Sequence, residues 1–136
     1  MRLPVTTEQF LVEYWQQRPL LCPQALPNFQ SPITAEELAG LAMEPDIESR
    51  MVWQDVGVWH QQAGPFEEQA FQGKAPWTLL VQRVDCFHAG VSALRNTLPP
   101  VPRWRFDDVM VSFATDQAGV GPHFDRYDVF LLQGMG

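Results

Sequence analysis

The chain has 136 residues and 15.5 kDa, the size of one domain. Hydrophobic residues make up 46% and charged residues 18%, which allows a packed core and excludes wholesale disorder. Nine Lys+Arg against 16 Asp+Glu give −7 and a pI near 4.7, which argues against gripping nucleic acid by bulk charge, and no apolar run approaches the ~20 residues of a membrane span.

The charge is uneven: residues 1–70 hold ten acids and three bases, whereas 71–136 hold six of each. The opening Met1-Arg2-Leu3-Pro4 lacks the apolar stretch of a secretory signal. Cys22 and Cys86 make neither a CxxC pair nor a disulfide framework, so a reducing, cytoplasmic setting is expected with both thiols buried as small apolar groups.

Thr6 and Thr7 are suited to cap a helix whose Phe10, Leu11, Tyr14 and Trp15 share a face, ended by Arg18-Pro19. Pro23, Pro27 and Pro32 punctuate a loop. Thr34-Ala35-Glu36-Glu37 spells a capping box, and the helix behind it is expected to bury Leu38, Leu41 and Ala42 and stop before Pro45. The period then shortens. Residues 49–53 and 56–59 read as a strand pair around a turn, and 77–82 as a strand too continuously apolar to have a wet face. Residues 88–97 are weakly helical, and the prolines at 99, 100 and 102 interrupt regular structure. Strands are expected over 108–114 and 127–133, joined by the turn at 117–122. Helices first and strands after imply an α+β chain with an antiparallel sheet. A domain seldom stops on its most apolar strand, which would leave an open edge, so the chain is expected to be the front part of a longer protein. A front part alone would leave the apolar face of Val109, Val111, Phe113, Val129 and Leu131 without cover.

The sharpest chemical cluster is Gly121-Pro122-His123-Phe124-Asp125-Arg126-Tyr127-Asp128. On an extended segment His123 and Asp125, two apart, point to one side. An imidazole and a carboxylate are two of the three ligands of the 2-His-1-carboxylate triad that holds Fe(II) with open positions. A hydrogen-bonded surface pair is the plainer alternative for so short a spacing. His60, in an expected polar turn, and His88, at a helix start, are poor third ligands. Asp107 and Asp108 face opposite ways on a strand; a bond from Asp108 to a loop amide suits it better than acid–base work. Cys86 has no base partner for nucleophilic chemistry, and the tryptophans at 15, 53, 59, 77 and 104 read as packing.

Taken together, several ordered blocks carry a resemblance: Leu38-Ala39-Gly40-Leu41, Glu48-Ser49-Arg50, Gly64-Pro65-Phe66, Trp77-Thr78-Leu79-Leu80-Val81-Gln82, Trp104-Arg105-Phe106-Asp107-Asp108-Val109 and Val120-Gly121-Pro122-His123-Phe124-Asp125. They resemble the bacterial JmjC-type (cupin-4) ribosomal oxygenases that hydroxylate an arginine of ribosomal protein L-sixteen. The resemblance implies α+β architecture, mainly β, with N-terminal helices ahead of the first part of a double-stranded β-helix. It implies one incomplete domain over 1–136, with 1–103 as the helical and strand region and 104–136 as the first barrel strands. It further implies Fe(II) and 2-oxoglutarate as cofactor and co-substrate, His123 and Asp125 as metal ligands, and Ser112 near 2-oxoglutarate. A basic ribosomal protein is the implied substrate, with no membrane and no direct nucleic-acid contact, and the full-length parent is implied to be a homodimer. The distal His ligand and the arginine for the far carboxylate of 2-oxoglutarate have no counterpart here. A non-catalytic binding module of the same family is therefore the alternative function, and a metal-dependent cupin of other chemistry a third.

Overall fold

The computed structural model describes residues 1–73, 75–98 and 101–136. Thr6 accepts a bond from the Gln9 amide while the Gln9 side chain takes the Thr6 amide, so a reciprocal cap opens α1 (Thr7–Gln9). The helix does not run on to Pro19. From Phe10 it widens into a π-helical turn over Phe10–Tyr14, closed by Trp15 N–H donating to Phe10 O at 2.8 Å. That five-residue spacing brings the Phe10 and Trp15 rings 5.8 Å apart and turns Leu11 outward, where α-helical periodicity had placed it inside. The second cap is as the sequence spells it: Thr34 Oγ1 takes the Glu37 amide, the Glu37 carboxylate takes the Thr34 amide, and α2 (Ala35–Met43) buries Leu38 and Ala42.

Four strands follow, β1 (Ser49–Asp55), β2 (Val58–Ala63), β3 (Trp77–Val81) and β4 (Val111–Ala114), in an antiparallel sheet of order β2-β1-β3-β4. The β1–β2 turn is tighter than the sequence suggested: Asp55 pairs with Val58, leaving Val56 and Gly57 at φ +46° and +80°. Positive φ at both central residues is what the right-handed twist of a two-residue hairpin demands. Short helices α3 (Val84–Phe87) and α4 (Ala89–Leu94) lie between β3 and β4. No helix among the described residues is long and apolar enough to cross a membrane.

The chain divides into two units. The first comprises residues 1–31, 94–107 and 125–136; the second comprises 32–93 and 108–124. The second unit contains the whole sheet. Its core joins Leu38 and Ala42 of α2 to Met51, Trp77, Leu79 and Val81 of the sheet, with Ile33, Ile47, Phe66, Val84 and Val91 around them. All five β3 residues are buried, as a strand with no wet face requires. Val109, Val111 and Phe113 pack against this core, so these three are covered where exposure had been expected.

In the first unit Phe130 meets Trp15 at 5.9 Å, Phe106 at 6.4 Å and Phe10 at 6.5 Å, an aromatic cluster that Arg95 borders over the Phe106 ring. Residues 127–133 are not a strand. They enter no ladder among the described residues, and Val129 and Leu131 are exposed, because β propensity yields a strand only where a partner edge supplies the hydrogen bonds. The burial expected of the thiols fails: Cys86 is exposed and Cys22 half-buried. Of the tryptophans expected to pack, Trp77 lies in the core, Trp53 packs against it and Trp15 meets Phe10 and Phe130, whereas Trp104 is 80% exposed.

Candidate metal site

The register of the ladders sorts side chains onto the two faces of the sheet. Met51, Leu79, Val111 and Phe113 face α2; Trp59 on β2, Val52 and Gln54 on β1, Thr78 and Leu80 on β3 and Ser112 on β4 share the opposite face. The segment after β4 turns back over that second face. Two contacts extend the β3–β4 pairing past Ala114: Trp77 N–H donates to Thr115 Oγ1 at 2.9 Å, and Thr115 N–H to Trp77 O at 3.0 Å. Thr78 Oγ1, on a residue 3% exposed, then donates to Gly119 O at 3.0 Å and ties the loop to the centre of the sheet.

Two residues on, the loop rests on Trp59. Gly121 stands at φ +75°, and a Cβ there would lie 2.7 Å from Cε2 and 3.0 Å from Nε1 of the indole, so the backbone itself lies on the ring. Only glycine meets both demands. The Gly121 carbonyl in turn lies 3.0 Å from His123 Nδ1. A carbonyl only accepts, so Nδ1 carries the proton and, in the neutral ring, Nε2 carries the lone pair. His123 and Asp125 are both exposed. They fall on either side of the boundary between the units, His123 at the end of the second and Asp125 at the start of a stretch of the first. Ser112 is exposed on β4, and thus on the same sheet face as Trp59 but at the other edge. The cleft lined by Trp53, Trp59, Pro76 and Gly119 holds about 100 Å³, room for a few waters and well short of a ligand pocket.

The other histidines have different employment. His60 lies in β2, not in a turn, and stacks on Trp53 at 5.6 Å. His88 Nδ1 accepts the Val91 amide at 3.3 Å, the reverse of the protonation at His123, and so caps the start of α4. Among the described residues no group of three or more His, Cys, Asp and Glu side chains is placed to hold a metal. Asp108 Oδ2 accepts the Arg83 amide at 2.9 Å, the loop bond expected of it. Sequence reasoning missed Trp59 and Thr78 as loop anchors, because both read as ordinary strand residues; the Gly-Pro before His123 was the available signal.

Residues 93–136 match the JmjC domain family. The ribosomal protein uL16 3-hydroxylase of Escherichia coli is 44% identical over 135 residues, which cover 99% of this chain and 36% of that protein. A probable ribosomal oxygenase of Haemophilus influenzae is 37% identical over 136 residues, covering 97% and 33% of the respective chains. The structure of YcfD, a ribosomal oxygenase from Escherichia coli, superposes with a TM-score of 0.85 at 42% identity over 93% of this chain and 35% of that one, and YcfD has also been solved with cobalt and 2-oxoglutarate. The chain thus spans about a third of the length of the curated relatives it matches. By sequence and by fold, the chain is similar to about a third of the length of the JmjC ribosomal oxygenases, and its residues 93–136 match the JmjC domain itself.

Proposed function

We propose that the chain supplies part of the active site of an Fe(II)- and 2-oxoglutarate-dependent protein hydroxylase, acting in the cytoplasm on an arginine of a basic large-subunit ribosomal protein. In this reading His123 and Asp125 are two of the metal ligands, Ser112 lies near 2-oxoglutarate, and the parent protein is a homodimer. One observation carries it: the His-x-Asp pair includes an imidazole whose Nδ1–H is committed to the Gly121 carbonyl, which directs the Nε2 lone pair to a ligand role. A nitrogen and a carboxylate oxygen are the donor set that suits Fe(II) while leaving positions for a co-substrate. The relatives' names, a uL16 3-hydroxylase and a ribosomal oxygenase bound to cobalt and 2-oxoglutarate, support the same reading.

When bound, iron and 2-oxoglutarate supply the oxidising power for hydroxylating a C–H bond with O₂. The chain's own contribution is to present the imidazole in one tautomer, to offer the Asp125 carboxylate, and to hold the loop that carries His123 on the sheet through Thr78 and Trp59. The acidic half of the chain complements a basic substrate and speeds encounter without fixing specificity.

A second reading, a binding module without turnover, is favoured by the absence of a three-donor cluster among the described residues. Cobalt titration followed by absorption spectroscopy separates the two. Binding that is lost in both His123→Ala and Asp125→Ala is expected, and binding indifferent to both would refute the ligand assignment. Capture of a basic ribosomal peptide with no dependence on metal or on these residues would favour the binding module.

A further inference from the structure

We infer that Trp59 is a positioning residue for the imidazole of His123, acting through the backbone of Gly121. This rests on the reading of His123 as a metal ligand. Trp59 has no role in the core: it is 42% exposed, on an edge strand whose six residues are all exposed. Its indole nevertheless lies so close to Gly121 that no side chain fits at that position.

The chain of constraint is short. The β1–β2 ladder fixes Trp59 opposite Gln54, and the indole face then fixes Gly121 at φ +75°. Upstream, the Thr78 bond to Gly119 keeps the loop from sliding along the sheet. With Gly121 set, its carbonyl points at His123 Nδ1 and selects the Nδ1–H tautomer. Partners of this kind, which orient a ligating imidazole through its second nitrogen, change metal affinity by roughly 10–100-fold when removed. Without the indole, Gly121 regains its freedom and its carbonyl holds the Nδ1–H tautomer less firmly.

The test uses the metal-free 136-residue protein labelled with ¹⁵N-histidine, at a pH where the imidazoles are neutral. Ring ¹H–¹⁵N correlations assign the tautomer of His123 in the wild type, Trp59→Ala, Trp59→Phe and Trp104→Ala. The wild type and Trp104→Ala are expected to hold the Nδ1–H form, Trp59→Phe to retain most of it, and Trp59→Ala to become a mixture. Cobalt affinity is then expected to fall roughly 10–100-fold in Trp59→Ala. Should Trp59→Ala fail to fold, Gly121→Ala disturbs the same contact from the loop side and must show the same loss of tautomer. A wild type lacking the Nδ1–H form, a folded Trp59→Ala or Gly121→Ala that keeps it, or cobalt affinity lost in His123→Ala yet unchanged in Trp59→Ala would each overturn the inference. Cobalt affinity indifferent to His123→Ala would instead refute the ligand reading, and the metal-free tautomers would still decide the role of Trp59.

Discussion

Replacing Asp85 by alanine removes one bond of a three-bond clasp between the start of α3 and the approach to β4. Arg83 N–H donates to Asp108 Oδ2 at 2.9 Å, Val84 N–H to Val109 O at 3.0 Å, and Val109 N–H to Asp85 Oδ1 at 2.9 Å. Asp85 is 8% exposed and the Val109 amide it serves is half-buried, so water reaches that amide less readily than the exposed amide of Arg83. A bond to a carboxylate is worth about 1.5–3 kcal/mol, and an orphaned buried donor adds its own desolvation penalty. We therefore expect Asp85→Ala to lose about 2–3 kcal/mol. Asp108→Ala should lose about 0.5–1 kcal/mol, because the Arg83 amide sits in an exposed setting where water replaces the lost acceptor. Asp85→Asn keeps an acceptor oxygen and should fall between. Urea unfolding followed by tryptophan fluorescence measures all three. With an m-value of about 1.5–2 kcal/mol/M, Asp85→Ala should lower the midpoint by roughly 1–2 M at unchanged slope. A loss below about 0.5 kcal/mol, or equal losses for the two alanine variants, would refute the reasoning that burial of the served amide decides the difference.

Val56→Asn should stabilise the protein by about 0.5–1 kcal/mol, since Asn accepts the φ of +46° that a β-branched residue resists, and thermal unfolding checks it. Leu79→Ala, at a side chain 1% exposed in the central strand, should lose about 3–5 kcal/mol in the same urea assay. The 136-residue chain incubated with Fe(II), ascorbate, 2-oxoglutarate and a basic ribosomal peptide should release no succinate, because the described residues bring no third donor to the metal. Succinate release abolished by His123→Ala would show a third ligand within the chain.

The sequence revealed what is encoded locally. The Thr34–Glu37 box and the apolar run of β3 each carry their own instruction, and both formed as read. Errors fall where one local signal competes with another. Val56 has the shape of a strand residue, yet the hairpin needed a turn there and Gly57 alone could not make it. At Phe10 the preceding cap promised an α-helix, whereas the aromatic contact with Trp15 is met by a wider turn. Residues 127–133 illustrate the limit of propensity: strand-forming side chains do not specify a ladder. For the candidate site, the His-x-Asp pair at 123 and 125 stands out in the sequence by its donor types. The contacts that hold the loop before it do not, since nothing in Trp59 or Thr78 announces a contact with a loop some 40–60 residues away.

The first unit is assembled from three separated stretches of chain, and that discontinuity governs the order in which the protein can be made. Its closing bonds span most of the sequence: the Met1 amino group donates to Thr97 O, 96 positions on, and Gln16 Nε2 to Asp128 Oδ2, 112 positions on. Residues 32–93, by contrast, already include α2, β1, β2 and β3, so most of the second unit can close as soon as they emerge. At about 5–20 residues per second, the synthesis that separates Gln16 from Asp128 lasts roughly 5–20 s. Through that interval Phe10 and Trp15 wait without Phe130 while the sheet forms behind them, which makes the earliest aromatics of the nascent chain the last to find their full set of neighbours.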